Sequence, residues 1–297
     1  MLNRVVIYLK EMFPVLHISG TIIYASGFIW LQTVLNRESL PSFMHFAVGS
    51  ISLLCFVLLI RIMDEFKDYE DDLKNFPDRP LPSGRVLKSD LKALGFGCFF
   101  LPLLLNVFIS TDALIWTLIV LGFSLLMLKW FFIESTMRKS LPLALISHHP
   151  IVFIHLIYLF SVFKAAVPEA NLLYLGTIIP IGLLSTNWEF SRKLRAPKEE
   201  TEYTTYSKIW GVKAATSAAI ITQLLSFSLL VYFIGTMTVP LSLWVVFGFV
   251  YLSITFQYVQ FYHDPKNGLA LKSKAENMSL ITQLFILSYS YLLMGSY

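Results

Sequence analysis

The stretch Arg61-Ile-Met-Asp64-Glu65-Phe-Lys67-Asp68-Tyr-Glu70-Asp71-Asp72-Leu-Lys-Asn-Phe-Pro77-Asp78-Arg79-Pro80-Leu81-Pro82-Ser83-Gly84-Arg85 follows a long apolar run and ends in a proline-rich turn. Asp64, Asp68 and Asp72 recur at every fourth position. If the apolar run continues outward as a helix, the three share one face. Glu65, Glu70 and Asp71 add to the negative charge, and Arg61 and Lys67 offset it only in part. Like charges at this spacing repel by about 0.2–0.5 kcal/mol per pair, so the row calls for a counter-charge. Mg2+ suits it: the ion takes oxygen ligands and commonly joins one or two carboxylates to the phosphate oxygens of a substrate. An acidic run is usually a solvated helix face. This one stands where an apolar helix ends, and ionisable residues at membrane depth are functional candidates.

The surrounding chain supports the membrane setting. Of 297 residues, 56% are hydrophobic and only 14% charged, with 25 phenylalanines. Soluble domains average about 25% charged residues. Nine apolar runs, 14–35, 43–63, 92–110, 112–132, 141–163, 171–190, 214–235, 239–261 and 277–295, each approach the ~20 residues that cross a hydrocarbon core. Such runs satisfy their backbone polar groups in lipid by forming helices. The expected fold is therefore an all-α membrane protein of nine transmembrane helices. Residues 1–14 carry Arg4, Lys10 and Glu11 and lack the long apolar core of a signal peptide; they suit a short amphipathic helix on the membrane surface.

With the N-terminus placed in the cytoplasm, all of the 23 Lys and Arg residues except Arg37, Arg61 and Lys164 fall on the cytoplasmic side. That asymmetry follows the positive-inside rule. The net charge of +4 is then explained by loops facing anionic lipid, and no nucleic-acid partner is required. Cys55 and Cys98 lie inside apolar runs and form no disulfide framework or metal motif. Long charged segments follow the second and sixth runs. This suggests two similar helical halves, each bringing one polar loop to the same surface, within a single domain spanning 1–297.

The order Asp64-Glu65-x-x-Asp68-x-x-x-Asp72, then Pro77-Asp78-Arg79-Pro80-Leu81-Pro82-Ser83-Gly84, resembles the first signature of the UbiA superfamily of intramembrane prenyltransferases. That family's pattern opens Asn-Asp where this chain has Asp64-Glu65. The resemblance covers nearly the whole chain. It implies binding of an isoprenyl diphosphate through Mg2+, with the prenyl tail in a central chamber among the helices. It casts Asp64, Asp68 and Asp72 as catalytic metal-holding residues and Lys67, Arg79 and Arg85 as diphosphate contacts.

The second loop departs from the family. Where a second aspartate-rich motif is expected, the segment from Asn187 to Gly211 has no aspartate; Arg192, Lys193 and Arg195 stand there, with Glu189, Glu199, Glu200 and Glu202 as its carboxylates. Either Glu189 or the Glu199–Glu200 pair holds a second Mg2+, or the bases bind the diphosphate directly. The second reading is favoured, because a guanidinium fork grips two phosphate oxygens at once. Arg138 and Lys139 resemble a further basic pair of the family. His148 and His149 precede Pro150, which loosens the fifth run. Adjacent helical residues point about 100° apart, so one of the two histidines at most faces a pocket squarely. Asn187 is a third pocket candidate.

The expected activity is Mg2+-dependent ionisation of an isoprenyl diphosphate and transfer of the prenyl group to an acceptor whose identity is open. The closest rival is a terpene cyclase on the same scaffold, needing no acceptor. A non-catalytic lipid-binding or transport protein is a third reading. The expected location is a multi-pass position in a bilayer, a bacterial inner membrane, with the active site facing the cytoplasm.

Overall fold

The computed structural model describes residues 1–201, 204–235 and 241–294, with the side chains of 287–294 excepted. Glu202 and the expected span ends at 239, 240 and 295 lie outside the described residues. Every regular element among the described residues is helical. In chain order these are α1 (Leu2–Met12), α2 (Val15–Asn36), α3 (Phe43–Lys67), α4 (Tyr69–Asn75), α5 (Lys88–Val107), α6 (Thr111–Leu128), α7 (Glu134–Met137), α8 (Leu141–His148), α9 (Pro150–Ala166), α10 (Ile178–Ser191), α11 (Tyr206–Trp210), α12 (Val212–Ile234), α13 (Leu241–His263) and α14 (Leu269–Met294). Small hydroxyls start several of them. Ser110 Oγ accepts from the Ala113 N–H of α6, Ser140 Oγ from Leu143 of α8, and Thr205 Oγ1 from Lys208 of α11. Each supplies a partner for an N–H that the helix itself leaves unpaired.

Among the described residues, seven helical stretches are long and apolar enough to cross a membrane: α2, α3, α5, α6, Leu141–Ala166, α12 and α13. The other two expected spans are not among these seven. The run 171–190 becomes a short 3₁₀ turn, Leu172–Thr177, and then α10 of 14 residues. At 1.5 Å per residue α10 is about 21 Å long, less than a full hydrocarbon core. The run 277–295 lies within α14, whose first two turns carry Lys272, Lys274 and Glu276. Pro150 splits the fifth run into α8 and α9, as a proline that cannot donate its backbone N–H does. The fourth run ends early. Trp130, Phe131 and Phe132 all adopt positive φ (50°, 49° and 61°), a conformation that L-residues favour little.

The chain forms two compact units. The first comprises residues 1–29, 40–134 and 157–169. Its core polar tie joins α3, α5 and α9: Asn106 Nδ2 donates to Ser52 Oγ at 3.0 Å, and the Tyr158 hydroxyl donates to Asn106 Oδ1 at 3.1 Å. All three side chains are buried. The N-terminal segment forms the amphipathic α1, clamped at both ends. Arg4 donates twice to Asp90 of α5, at 2.6 and 3.0 Å, and Arg85 grips the Glu11 carboxylate through both terminal nitrogens.

The second unit comprises residues 30–39, 135–156 and 170–297. There α10 packs on α12. Gly182 of α10 lets the Phe153 ring close in, since a Cβ would sit 2.4 Å from its Cε1. Gly268, between α13 and α14, abuts the second polar loop. A Cβ there would lie 2.9 Å from Ala196 N, Arg195 Cα and a Glu199 carboxylate oxygen, and the first two are backbone atoms that cannot swing aside.

Two stability outcomes follow from these contacts, both read by thermal melting of the protein in lipid nanodiscs. Asn106→Ala removes the amide shared by Ser52 and the Tyr158 hydroxyl and should cost about 1–3 kcal/mol. Adding Tyr158→Phe to that variant should cost less than Tyr158→Phe alone, because the Asn106–Tyr158 bond is already lost. Gly268→Ala should destabilise by about 1–3 kcal/mol through overpacking, whereas Gly122→Ala, whose new methyl meets nothing within 4 Å, should not destabilise.

Candidate active site

In the first unit the acidic row leaves α3 as its spacing predicts, and then bends. The Asp68 N–H bonds to Asp64 O and the Asp72 N–H to Asp68 O, both at 2.9 Å. Asp68 itself has left helical geometry (φ −103°, ψ 12°) and separates α3 from α4. The uninterrupted helix face expected for Asp64, Asp68 and Asp72 is therefore broken at its middle member.

The carboxylates of this loop have cations drawn to them. Asp72 is 7% exposed and receives both of its short bonds, 2.7 and 2.8 Å, from Arg79 Nη1. The Arg79 guanidinium also lies 3.9 Å from the centre of the Phe76 ring. Asp64 pairs with Lys67 at 2.9 Å, and the Lys67 ammonium sits 4.5 Å from the Trp130 ring centre. Glu65 is 1% exposed and contacts Arg61 at 2.6 Å. The proline-rich segment performs the fold-back that brings Arg79 over Asp72. Val86 N–H bonds to Pro80 O, Ser83 N–H to Arg79 O, and Gly84 takes φ 75°, which glycine adopts without strain. Arg85, expected at the diphosphate, instead grips Glu11 and donates to Asp78 O at 2.6 Å.

In the second unit the loop after α10 is organised around Glu189. Arg192 Nε donates to this carboxylate and Lys193 Nζ lies 3.1 Å from it. Lys193 is buried, which pushes its ammonium pKa down, and Glu189 pulls in the opposite direction. Arg195 spends its Nη1 on two backbone carbonyls, Arg192 O at 3.0 Å and Leu194 O at 2.8 Å. Glu199 accepts from the Ala196 N–H at 2.8 Å. Glu200 accepts from the hydroxyls of Thr205 and Ser207. Those two glutamates hold the loop's shape. Arg138 and Lys139 are exposed, just beyond α7.

His149 bonds Thr186 Oγ1 through Nε2 at 2.7 Å, tying the α8–α9 junction to α10. His148 turns Nδ1 toward Ala144 O and Ser147 Oγ. The two histidines thus diverge, as their adjacency predicts. Asn187 is fully buried; it donates to Ala219 O at 2.8 Å and accepts from the Tyr258 hydroxyl at 3.2 Å. Its amide joins α10 to α12 and α13.

Sequence reasoning passed over Glu65 as a site residue, although it stands where the resembled signature has its first aspartate. Positions 65, 68 and 72 follow an i, i+3, i+7 pattern, and that was the signal available. Burial distinguishes it from Asp64, whose side chain is 36% exposed.

Mg2+ can be tested against these donors. Among the described residues no three acidic, histidine or cysteine side chains converge into a ready cage. The donors of the first loop are nevertheless carboxylate oxygens, the hard ligands Mg2+ prefers. The ion typically takes only one or two of them and completes its shell with water and substrate phosphate. The residues fit a cation that arrives with a phosphate-bearing ligand.

No family model and no curated protein sequence matches the chain. Two solved structures do match its fold. One is described as digeranylgeranylglyceryl phosphate synthase in membranes; it has a TM-score of 0.66 at 17% identity, over 97% of this chain and 99% of that one. The other is the apo structure of a UbiA homolog from Aeropyrum pernix K1, with a TM-score of 0.66 at 14% identity, over 93% of this chain and 98% of that one. Sequence motif and three-dimensional likeness agree: this chain has the UbiA fold.

Proposed function

We propose that the protein is a Mg2+-dependent intramembrane prenyltransferase that ionises an isoprenyl diphosphate and passes the prenyl group to an acceptor. The observation that carries this reading is the first polar loop. At the end of a membrane-length helix it gathers Asp64, Glu65, Asp68 and Asp72 with Arg61, Lys67 and Arg79, on a fold shared with a synthase of prenylated glyceryl phosphate. Carboxylates and cations concentrated at such a place suit a ligand that is itself a metal–diphosphate pair.

In this reading Asp64, Asp68 and Asp72, with Glu65 next to Asp64 in sequence, would hold Mg2+, which when bound would supply positive charge to the leaving diphosphate. Arg79, Lys67, Arg192 and Lys193 supply further positive charge, and Arg138 and Lys139 add to it from their exposed loop. Donors fixed before the reaction stabilise developing charge without a cost of reorganisation. Glu189 keeps Arg192 and Lys193 in place. The prenyl tail lies among the membrane-spanning helices, where water is scarce and an allylic cation survives long enough to meet its acceptor. The remaining parts of the proposal are nine spans in one domain, a cytoplasmic N-terminus, a cytoplasm-facing site in a bacterial inner membrane, and no role for nucleic acid.

The test incubates the purified protein in nanodiscs with Mg2+ and geranyl, farnesyl or geranylgeranyl diphosphate, with and without a membrane extract. Diphosphate release that requires the extract is expected, and Asp68→Ala should lower its rate by about 100-fold or more. Cyclic hydrocarbons or alcohols formed without extract would replace transfer by cyclisation on the same site. Absence of release under every condition, with Asp68→Ala indistinguishable from wild type, would sink the enzymatic reading.

A further inference from the structure

Among the buried polar atoms of the first unit that make no hydrogen bond are the Tyr8 hydroxyl and both carboxylate oxygens of Glu65, one of which meets Arg61 only as an ion pair. Tyr8 is 0% exposed. Its phenol lies within electrostatic reach of Glu65, Arg61 and Asp64. Burial first, and the Glu65 charge second, push the phenol pKa up, so the group stays a proton donor. Folded proteins seldom leave buried polar groups unpaired, and each exception asks for a reason.

The placement of Tyr8 is enforced. Arg4 and Glu11 bracket it on α1, one turn before and one turn after, and each is fixed by a two-pronged ion pair to the chain beyond the acidic row, at Asp90 and Arg85. The helix is not free to roll and carry the hydroxyl to water. The clamps therefore hold an unpaired donor within electrostatic reach of a carboxylate whose contact in this structure is the Arg61 guanidinium.

We propose that Tyr8 is a positioning residue of the diphosphate site: its hydroxyl donates to Glu65 when a metal–diphosphate ligand draws that carboxylate away from Arg61. The inference rests on the diphosphate reading above. It makes the N-terminal helix part of the site. It also gives the Tyr8 hydroxyl an unusual signature, since the group is a burden to the empty protein and an asset to the loaded one.

The full chain in nanodiscs is melted with increasing Mg2+ and inorganic pyrophosphate, as wild type and as Tyr8→Phe. The empty Tyr8→Phe protein should melt no lower than wild type, because the variant removes an unpaired buried hydroxyl and keeps the ring. The Mg2+–pyrophosphate concentration giving half of the stabilisation should rise about tenfold, the size expected of one hydrogen bond to a charged group. In a Glu65→Ala background, which has no side-chain acceptor, the same substitution should leave that midpoint nearly unchanged. A lower melting temperature for the empty variant, or an unchanged midpoint, would overturn the role of Tyr8. A wild-type protein that Mg2+–pyrophosphate does not stabilise would overturn the diphosphate reading itself, and the Tyr8 role with it.

Discussion

A carboxylate that leaves water needs a cation beside it, and much of the local structure at this membrane boundary follows from that need. Removing one partner from a buried ion pair costs about 3–5 kcal/mol, so such pairs constrain the backbone that carries them. Glu65 finds Arg61 one turn earlier on α3. Asp64 finds Lys67 one turn later. Asp72 has no base within a turn on its buried side and draws Arg79 back from seven residues ahead. The chain must then reverse direction over Phe76 and Pro77, and the Pro80–Val86 turn with its left-handed Gly84 completes the reversal. Arg85, left on the far side of that turn, fixes α1 through Glu11. Pairing Asp72 thus helps settle where the N-terminal helix lies.

The two polar loops meet the need in different ways. In the first, acids predominate and the bases are distributed among them. In the second, one glutamate serves two bases, and the other described glutamates satisfy backbone and hydroxyl groups. Glu199 and Glu200 thus hold the loop's own groups, while the half-buried Glu189 faces bases. Arg192 and Lys193 share that carboxylate, so each is held in place by it.

Much of the fold was legible because lipid imposes simple rules. Apolar runs of membrane length became helices at α2, α3, α5, α6, α12 and α13, and Pro150 broke the fifth run where its chemistry requires. The failures have physical causes as well. A hydropathic window cannot see that residues 171–177 tighten into a 3₁₀ turn and leave α10 short, since composition is the same in either helix. Four-residue spacing finds a shared helix face but says neither which side is buried nor whether the helix survives its own charge repulsion. So Asp64 was legible as a member of the row, while the burial of Glu65 and the break at Asp68 were not. Asn187 stood out as polar inside an apolar run, yet the same signal marks a helix–helix tie and a pocket residue alike. Its bonds to Ala219 O and Tyr258 reach 32 and 71 residues along the chain. The Arg85–Glu11 pair spans 74 positions, and no local pattern announces it.

Pairing also bears on how such a site is loaded. A lone divalent cation approaching the first loop must displace Lys67, which is largely withdrawn from water, from Asp64, or the part-exposed Arg79 from Asp72. A lone diphosphate approaching the second loop must take Arg192 and Lys193 from Glu189, stranding an acid. Either event alone leaves an uncompensated charge in a poorly solvated place. In the proposed reading, a metal and a diphosphate arriving together at the first loop would avoid that penalty: the metal would take the carboxylates of Asp64 and Asp72 while phosphate oxygens would take Lys67 and Arg79. Every charge exchanges one partner for another of the same sign. In that reading, internal pairing of the acids would disfavour either ion alone, with no preformed metal cage among the described residues.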